Sequence, residues 1–150
     1  MLKDIDVAML FLNAGYALPG AFEDLTNMDV QQMCSVNALQ PIYTAKVLLD
    51  QMLARGKLSA LVVTSSGLGS IPCCGVLPYS CAKTFSDFLA RGLNFELEGK
   101  VDCLSWQCGE VKTNLNKTGR GTTTDIAVKG MLKDLGKEGM SYGCFSHALG

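Results

Sequence analysis

Three short apolar runs, each ending at a small polar loop, constrain the fold of this chain more than any other feature. Residues 7–12 (VAMLFL) stop at Asn13-Ala14-Gly15, residues 58–64 (LSALVVT) at Ser65-Ser66-Gly67, and residues 101–106 (VDCLSW) near Cys108-Gly109. Continuous apolar runs of this length read as parallel strands buried on both faces. Helical stretches separate them. Residues 28–55 read as one long or broken helix, with Thr26 or Asn27 as its cap. Residues 79–98 read as another, with Cys81, Ala82, Phe85, Phe88, Leu89 and Leu93 on one 3.6-residue face and Gly99 as the stop. Strand alternating with helix predicts an α/β fold around a parallel sheet. Residues 111–139 read as a mobile loop followed by one helix, and residues 141–150 as a last edge strand.

Composition narrows the function. With 150 residues, 48% hydrophobic and 18% charged, the chain suits one folded domain. A net charge of −1 gives no footing for nucleic acid. The seven cysteines are odd in number and mostly beside apolar runs, so reduced thiols are expected rather than a disulfide framework. His147, the only histidine, has no metal-site company, and no metal is expected. No apolar run nears the roughly 20 residues of a membrane span. The residues alone therefore suggest a cytosolic chain, or one on the cytoplasmic side of a membrane.

In an open parallel sheet, ligands bind beyond the carboxyl ends of the strands. The three loops named above fall there. Tyr79 and Lys83 stand four residues apart near the start of a helix, so they share a face. An ammonium beside a phenol favours the phenolate, and a tyrosine tuned this way can exchange a proton with a carbonyl oxygen. Alone, such a pair is an ordinary helix-surface pair. Likewise Ser66 alone is a strand-end turn residue.

Taken together, these elements resemble the short-chain dehydrogenase/reductase family. The resemblance rests on Asn13-Ala14-Gly15, Asn37, Ser66, Tyr79 with Lys83, and Cys108-Gly109-Glu110-Val111-Lys112-Thr113, in that order. It implies a partial Rossmann-like, doubly wound parallel sheet of about three to four strands with flanking helices, the C-terminal half of the fold. Residues 1–150 would form a single partial NAD(P)-binding domain. No glycine-rich turn precedes Asp6, so the first βαβ cofactor-binding unit is expected to be absent. The resemblance implies Asn37, Ser66, Tyr79 and Lys83 as the catalytic set. It implies Asn13, Ala14, Gly15, Tyr79, Lys83, Gly109, Val111 and Thr113 as cofactor contacts, with NADP(H) as cofactor and NAD not excluded. Tyr79 would be the general acid in ketone reduction, Ser66 would bond the substrate oxygen, and Lys83 would lower the Tyr79 pKa and bond the nicotinamide ribose. Pro41 lacks an N–H and clashes with the carbonyl four residues back, that of Asn37. A kink there would free that oxygen to hold a relay water.

Cys108 replaces the family's proline. Pro72, Pro78, the Tyr79–Lys83 surroundings and the Tyr142-Gly143…His147-Ala148-Leu149 ending resemble the 17-beta-hydroxysteroid dehydrogenase and very-long-chain 3-oxoacyl-CoA reductase group. That implies a steroid ketone or 3-oxoacyl-CoA as substrate and a location at the endoplasmic reticulum. It also implies a homo-oligomer built on the two helices. Six basic residues against two acidic ones over 112–137 could meet CoA phosphates or form a solvated face. The alternative is a non-catalytic binding or dimerising module. The isolated chain is expected to show little or no reductase activity.

Overall fold

The fold is taken from a computed structural model, which describes residues 5–114, 116 and 118–148. Among these, β1 (Met9–Leu12), β2 (Ser59–Thr64), β3 (Val101–Trp106) and β4 (Met140–Ser141) form one parallel sheet in that order. Pairing runs from Met9↔Ala60 to Leu12↔Val63 and from Ser59↔Val101 to Thr64↔Trp106. This register brings the carboxyl ends of β1, β2 and β3 to one side of the molecule.

Side chains alternate across the sheet. Leu61, Val63, Val101 and Cys103 face one core, packed with Met52 and Ala90 from the helices. Val62, Leu104 and Trp106 face the other, packed with Ala127 and Met131. Apolar residues are needed on both faces, so β2 reads as an unbroken hydrophobic run. The α/β reading of the sequence therefore holds, with four strands. At the β1 edge, by contrast, Met9 and Phe11 stay half exposed.

The first helical stretch is broken. Thr26 caps α1 (Asn27–Cys34) through a capping box: Asp29 N–H donates to Thr26 Oγ1 (3.2 Å) and Thr26 N–H to Asp29 Oδ2 (2.9 Å). Residues Ser35–Leu39 then widen, with Gln40 N–H donating to Ser35 O, five residues back. The regular helix α2 (Gln40–Ala54) resumes with Pro41 in its first turn. A single widened turn of this kind distorts the helix where Pro41 withholds a donor. It falls on Asn37, where the kink is expected. The Asn37 carbonyl accepts the Ser86 hydroxyl.

The helix α3 (Leu77–Glu96) starts two residues before Tyr79, and Gly99 (φ +74°) turns the chain beyond its end. Its expected apolar inner face is a correction. The buried residues are Pro78, Ser80, Ala82, Lys83, Ser86, Asp87 and Ala90, while Cys81, Phe85 and Phe88 are exposed. Ser80, Lys83, Ser86 and Asp87 meet carbonyls and hydroxyls, while Ala90 and Leu93 on the same helix pack on the hydrophobic core.

The helix α4 (Thr124–Asp134) follows the 111–122 loop, capped by Thr123. The tail differs from the expected edge strand. Among the described residues of the tail only Met140–Ser141 pairs; Ser141 Oγ then accepts Gly143 N–H (2.8 Å) and α5 (Phe145–Ala148) follows. Gly143 sits at φ +75°, and a Cβ on it would stand 2.6 Å from Trp106 Nε1, so the chain bends rather than running on. Lys117 of the basic run and Leu149 of the ending lie outside the described residues. Among the described residues no helix is long and apolar enough to cross a membrane.

Candidate active site

The loops beyond β1, β2 and β3 converge with the N-terminal half of α3. Asn37 is fully buried and holds the first loop in place. Its Nδ2 donates to Tyr16 O (2.6 Å) and Met33 O (2.9 Å), and its Oδ1 accepts Tyr16 N–H (3.2 Å). Asn13 Oδ1 accepts the Thr64 hydroxyl at 2.9 Å, tying the ends of β1 and β2 together. A Cβ on Gly15 would stand 3.4 Å from Asn37 Oδ1 and 3.5 Å from Lys83 Nζ. Gly15, Asn37 and Lys83 therefore meet, with Asn13, Ala14 and Gly15 open to solvent.

Lys83 is 3% exposed. Its ammonium donates to Thr64 O at 2.7 Å and lies 5.6 Å from the centre of the Tyr79 ring. Burial brings its pKa down to about 8, because the charged form loses water. The Ser66 side chain neighbours the Tyr79 phenol. Burial raises the phenol pKa, the Ser66 hydroxyl partly offsets this, and Cys108 adds to the rise. The expectation that Lys83 lowers the Tyr79 pKa is corrected here. Lys83 Nζ lies 5.6 Å from the ring centre and donates to Thr64 O, and burial is the largest influence on the phenol.

Ser66 is buried, and its Oγ accepts Leu68 N–H (3.2 Å) to start the turn at Gly67–Gly69. That turn presses on α3: a Cβ on Gly69 would stand 2.9 Å from the Lys83 backbone carbon. Three hydroxyls staple the contact. Ser65 Oγ donates to Lys83 O (2.8 Å), Ser80 Oγ to Leu68 O (2.7 Å), and Thr84 Oγ1 to Gly69 O (2.6 Å). Sequence reasoning missed Ser65, Ser80, Thr84 and Ser86. Ser65 follows β2 and the other three lie on α3, and the partners are backbone carbonyls far away in sequence.

The third loop is less closely bound to this cluster. Cys108 lies near Tyr79 and Lys83, and burial pushes its thiol up to about 11. Such a thiol is unreactive near neutral pH. Val111 bridges to Thr122. Thr113 is exposed and accepts Asn116 N–H at 3.4 Å, so its side chain is engaged within its own loop.

The arrangement suits the nicotinamide-ribose half of a dinucleotide. Among the described residues, Lys83 Nζ has one acceptor, leaving two N–H groups beside the open Gly15 loop. A cation with donors to spare next to a side-chain-free backbone fits a sugar diol.

A family model for short chain dehydrogenase matches residues 2–124. The very-long-chain 3-oxoacyl-CoA reductase-B of Danio rerio is 28% identical over 158 residues, covering 99% of this chain and 50% of that protein. The chain thus spans about half the length of the curated relative it matches. A 3-ketoacyl-(acyl-carrier-protein) reductase from Brucella melitensis, complexed with NADH, superposes with a TM-score of 0.81 at 17% identity, covering 90% of this chain and 64% of that one. A short-chain dehydrogenase from Sphingobium yanoikuyae in complex with NADPH gives 0.79 at 23% identity, covering 87% and 54%. These likenesses are of fold. The family match and the order of the loop residues agree, and the chain belongs to the short-chain dehydrogenase family of oxidoreductases.

Proposed function

We propose that this chain carries the catalytic groups of an NADP(H)-dependent reductase acting on the ketone of a 3-oxoacyl-CoA. The observation that carries the reading is the cluster of Tyr79, Ser66, Lys83 and Asn37 at the carboxyl ends of parallel strands. The likeness to very-long-chain 3-oxoacyl-CoA reductase supports that acyl substrate over a steroid ketone. With it goes a place at the endoplasmic reticulum, on the cytosolic side, to be checked by cell fractionation.

Tyr79 is the general acid. Burial keeps its phenol protonated near neutral pH, so it has a proton to give to a carbonyl oxygen. Ser66, at the carboxyl end of β2 near Tyr79, holds the same substrate oxygen as charge develops on it. When bound, the nicotinamide supplies the hydride. Lys83, with the open loop of Asn13, Ala14 and Gly15, holds the ribose. Asn37 positions that loop through Tyr16. Gly109, Val111 and Thr113 border the ring from the third strand.

A second reading is favoured by one observation, the half-exposed β1 edge with Met9 and Phe11. There the isolated chain is a binding or dimerising module without turnover. Pairing of two copies would cover the outer faces of α2 and α3, where Tyr43, Val47, Phe85, Phe88 and Phe95 are exposed.

The test is NADPH oxidation with a long-chain 3-oxoacyl-CoA at high protein concentration, alongside calorimetric NADPH titration. Little turnover is expected from these 150 residues alone. What there is should drop by roughly 10²–10⁴ in Tyr79→Phe. Turnover untouched by that change overturns the role of Tyr79. Absence of both binding and turnover favours the second reading.

A further inference from the structure

His147, the chain's one histidine, has no part in the chemistry above, yet the fold closes around it. The helix α5 brings it back over the exit of β3, where it is buried. Its Nε2 lies 3.1 Å from Glu110 O and its Nδ1 3.0 Å from Tyr142 O. Its ring rests so close to Gly109 that a Cβ there would stand 2.6 Å from the ring. Any larger residue at 109 would displace it.

Glu110 O is also where the loop closes. It accepts Thr122 N–H (3.0 Å), while Thr122 O accepts Lys112 N–H (2.9 Å). Gly121 passes so near, at φ +97°, that a Cβ on it would meet Glu110 O at 2.0 Å. The strand exit, the returning end of the loop and the C-terminal helix thus share one carbonyl oxygen.

We infer that His147 is a positioning residue that clamps the base of the 112–122 loop by donating Nε2–H to Glu110 O. In doing so it fixes Gly109–Val111, the segment assigned above to the cofactor, and for that purpose the inference rests on the proposed function. A neutral imidazole donates through one nitrogen and a charged ring through both. The Nδ1 contact with Tyr142 O is local and is a hydrogen bond only in the charged ring. The bond to Glu110 O is long-range and holds two segments together.

Hydrogen exchange on the 150-residue chain without cofactor tests the clamp directly. His147→Ala should speed exchange at the Lys112 and Thr122 amides by roughly tenfold and leave those of β2 unchanged. His147→Phe fills the space but donates nothing, and should behave like the alanine variant. His147→Gln restores a donor and should recover most of the protection. Gly109→Ala should displace the ring and add nothing when combined with His147→Ala. Unchanged exchange at Lys112 and Thr122, a rise spread equally over β2, or wild-type protection in His147→Phe would each overturn the clamp. Calorimetry with NADPH separates the two readings. Clamp effects in a chain that binds no NADPH count against the cofactor assignment alone. NADPH affinity unchanged in His147→Ala, in a chain that does bind it, removes the positioning role.

Discussion

The two sides of α3 are built oppositely. The side toward the sheet and loops buries Ser80, Lys83, Ser86 and Asp87, while the side away from them exposes Phe85, Phe88 and Phe95, the last two by 75% and 78%. An ordinary amphipathic helix has the reverse arrangement. The inner polar groups are accounted for one by one. Ser80 shares its one hydroxyl proton between Leu68 O and Ile71 O, and Ser86 donates to Asn37 O. Lys83 donates to Thr64 O, and Asp87 accepts Ser105 Oγ (2.6 Å) and Gln107 Nε2 (3.1 Å). Buried polar groups are tolerable only when paired in this way. The difference teaches that α3 serves as a frame for the site, fixed by directional bonds as well as by the burial of Ala82 and Ala90.

The sharpest way to break that contrast is to remove its most connected inner group. Asp87→Ala orphans Ser105 and Gln107, and through Gln107 the Ser70 hydroxyl (3.1 Å). Denaturant unfolding should show a loss of about 4 kcal/mol. A loss below about 1 kcal/mol would mean the network relaxes onto water.

Lys83 sharpens the contrast through pH. Its pKa falls from 10.5 unfolded to about 8 folded, so the folded state binds fewer protons between those values. Burying the charge costs stability below pH 8, and the cost disappears as pH rises through 10.5. Wild type should therefore gain about 3 kcal/mol relative to Lys83→Met across that window. Taking the difference cancels the opposite trend from Cys103, whose thiol burial pushes up to about 12. A flat difference would show that the ammonium is well solvated in the folded chain.

The outer side should respond least. Phe88→Ser removes an exposed ring and should change monomer stability by no more than about 0.5 kcal/mol. Sedimentation should show weaker self-association if this side pairs with a second copy. A large stability loss would show that the ring is buried after all.

Much of this was legible in the residues. The runs at 7–12, 58–64 and 101–106 announced β1, β2 and β3, because a strand covered on both faces has to be apolar throughout. Pro41 announced the distortion at Asn37, because a missing N–H is a local fact. The strand-end loops at Asn13 and Ser66 could be placed from the apolar runs, and Tyr79 near a helix start, with the family resemblance joining them into one set. Illegible were the true inner face of α3, the serine and threonine staples, and the turn that ends β4 after Ser141. Each depends on a backbone carbonyl or neighbour distant in sequence, and periodicity carries no information about such partners.

The sequence by itself determined the parallel α/β class and which side chains have the chemistry for proton transfer. Tertiary structure alone decided how they are tuned. Burial, not the cation 5.6 Å from the ring centre, is the largest influence on the Tyr79 phenol. Tertiary structure also decided that the Ser86 hydroxyl reaches Asn37 O, and that His147 arrives at Glu110 O from the far end of the chain. Desolvation and long-range hydrogen bonds are properties of an enclosure, and the enclosure exists only once the chain has folded.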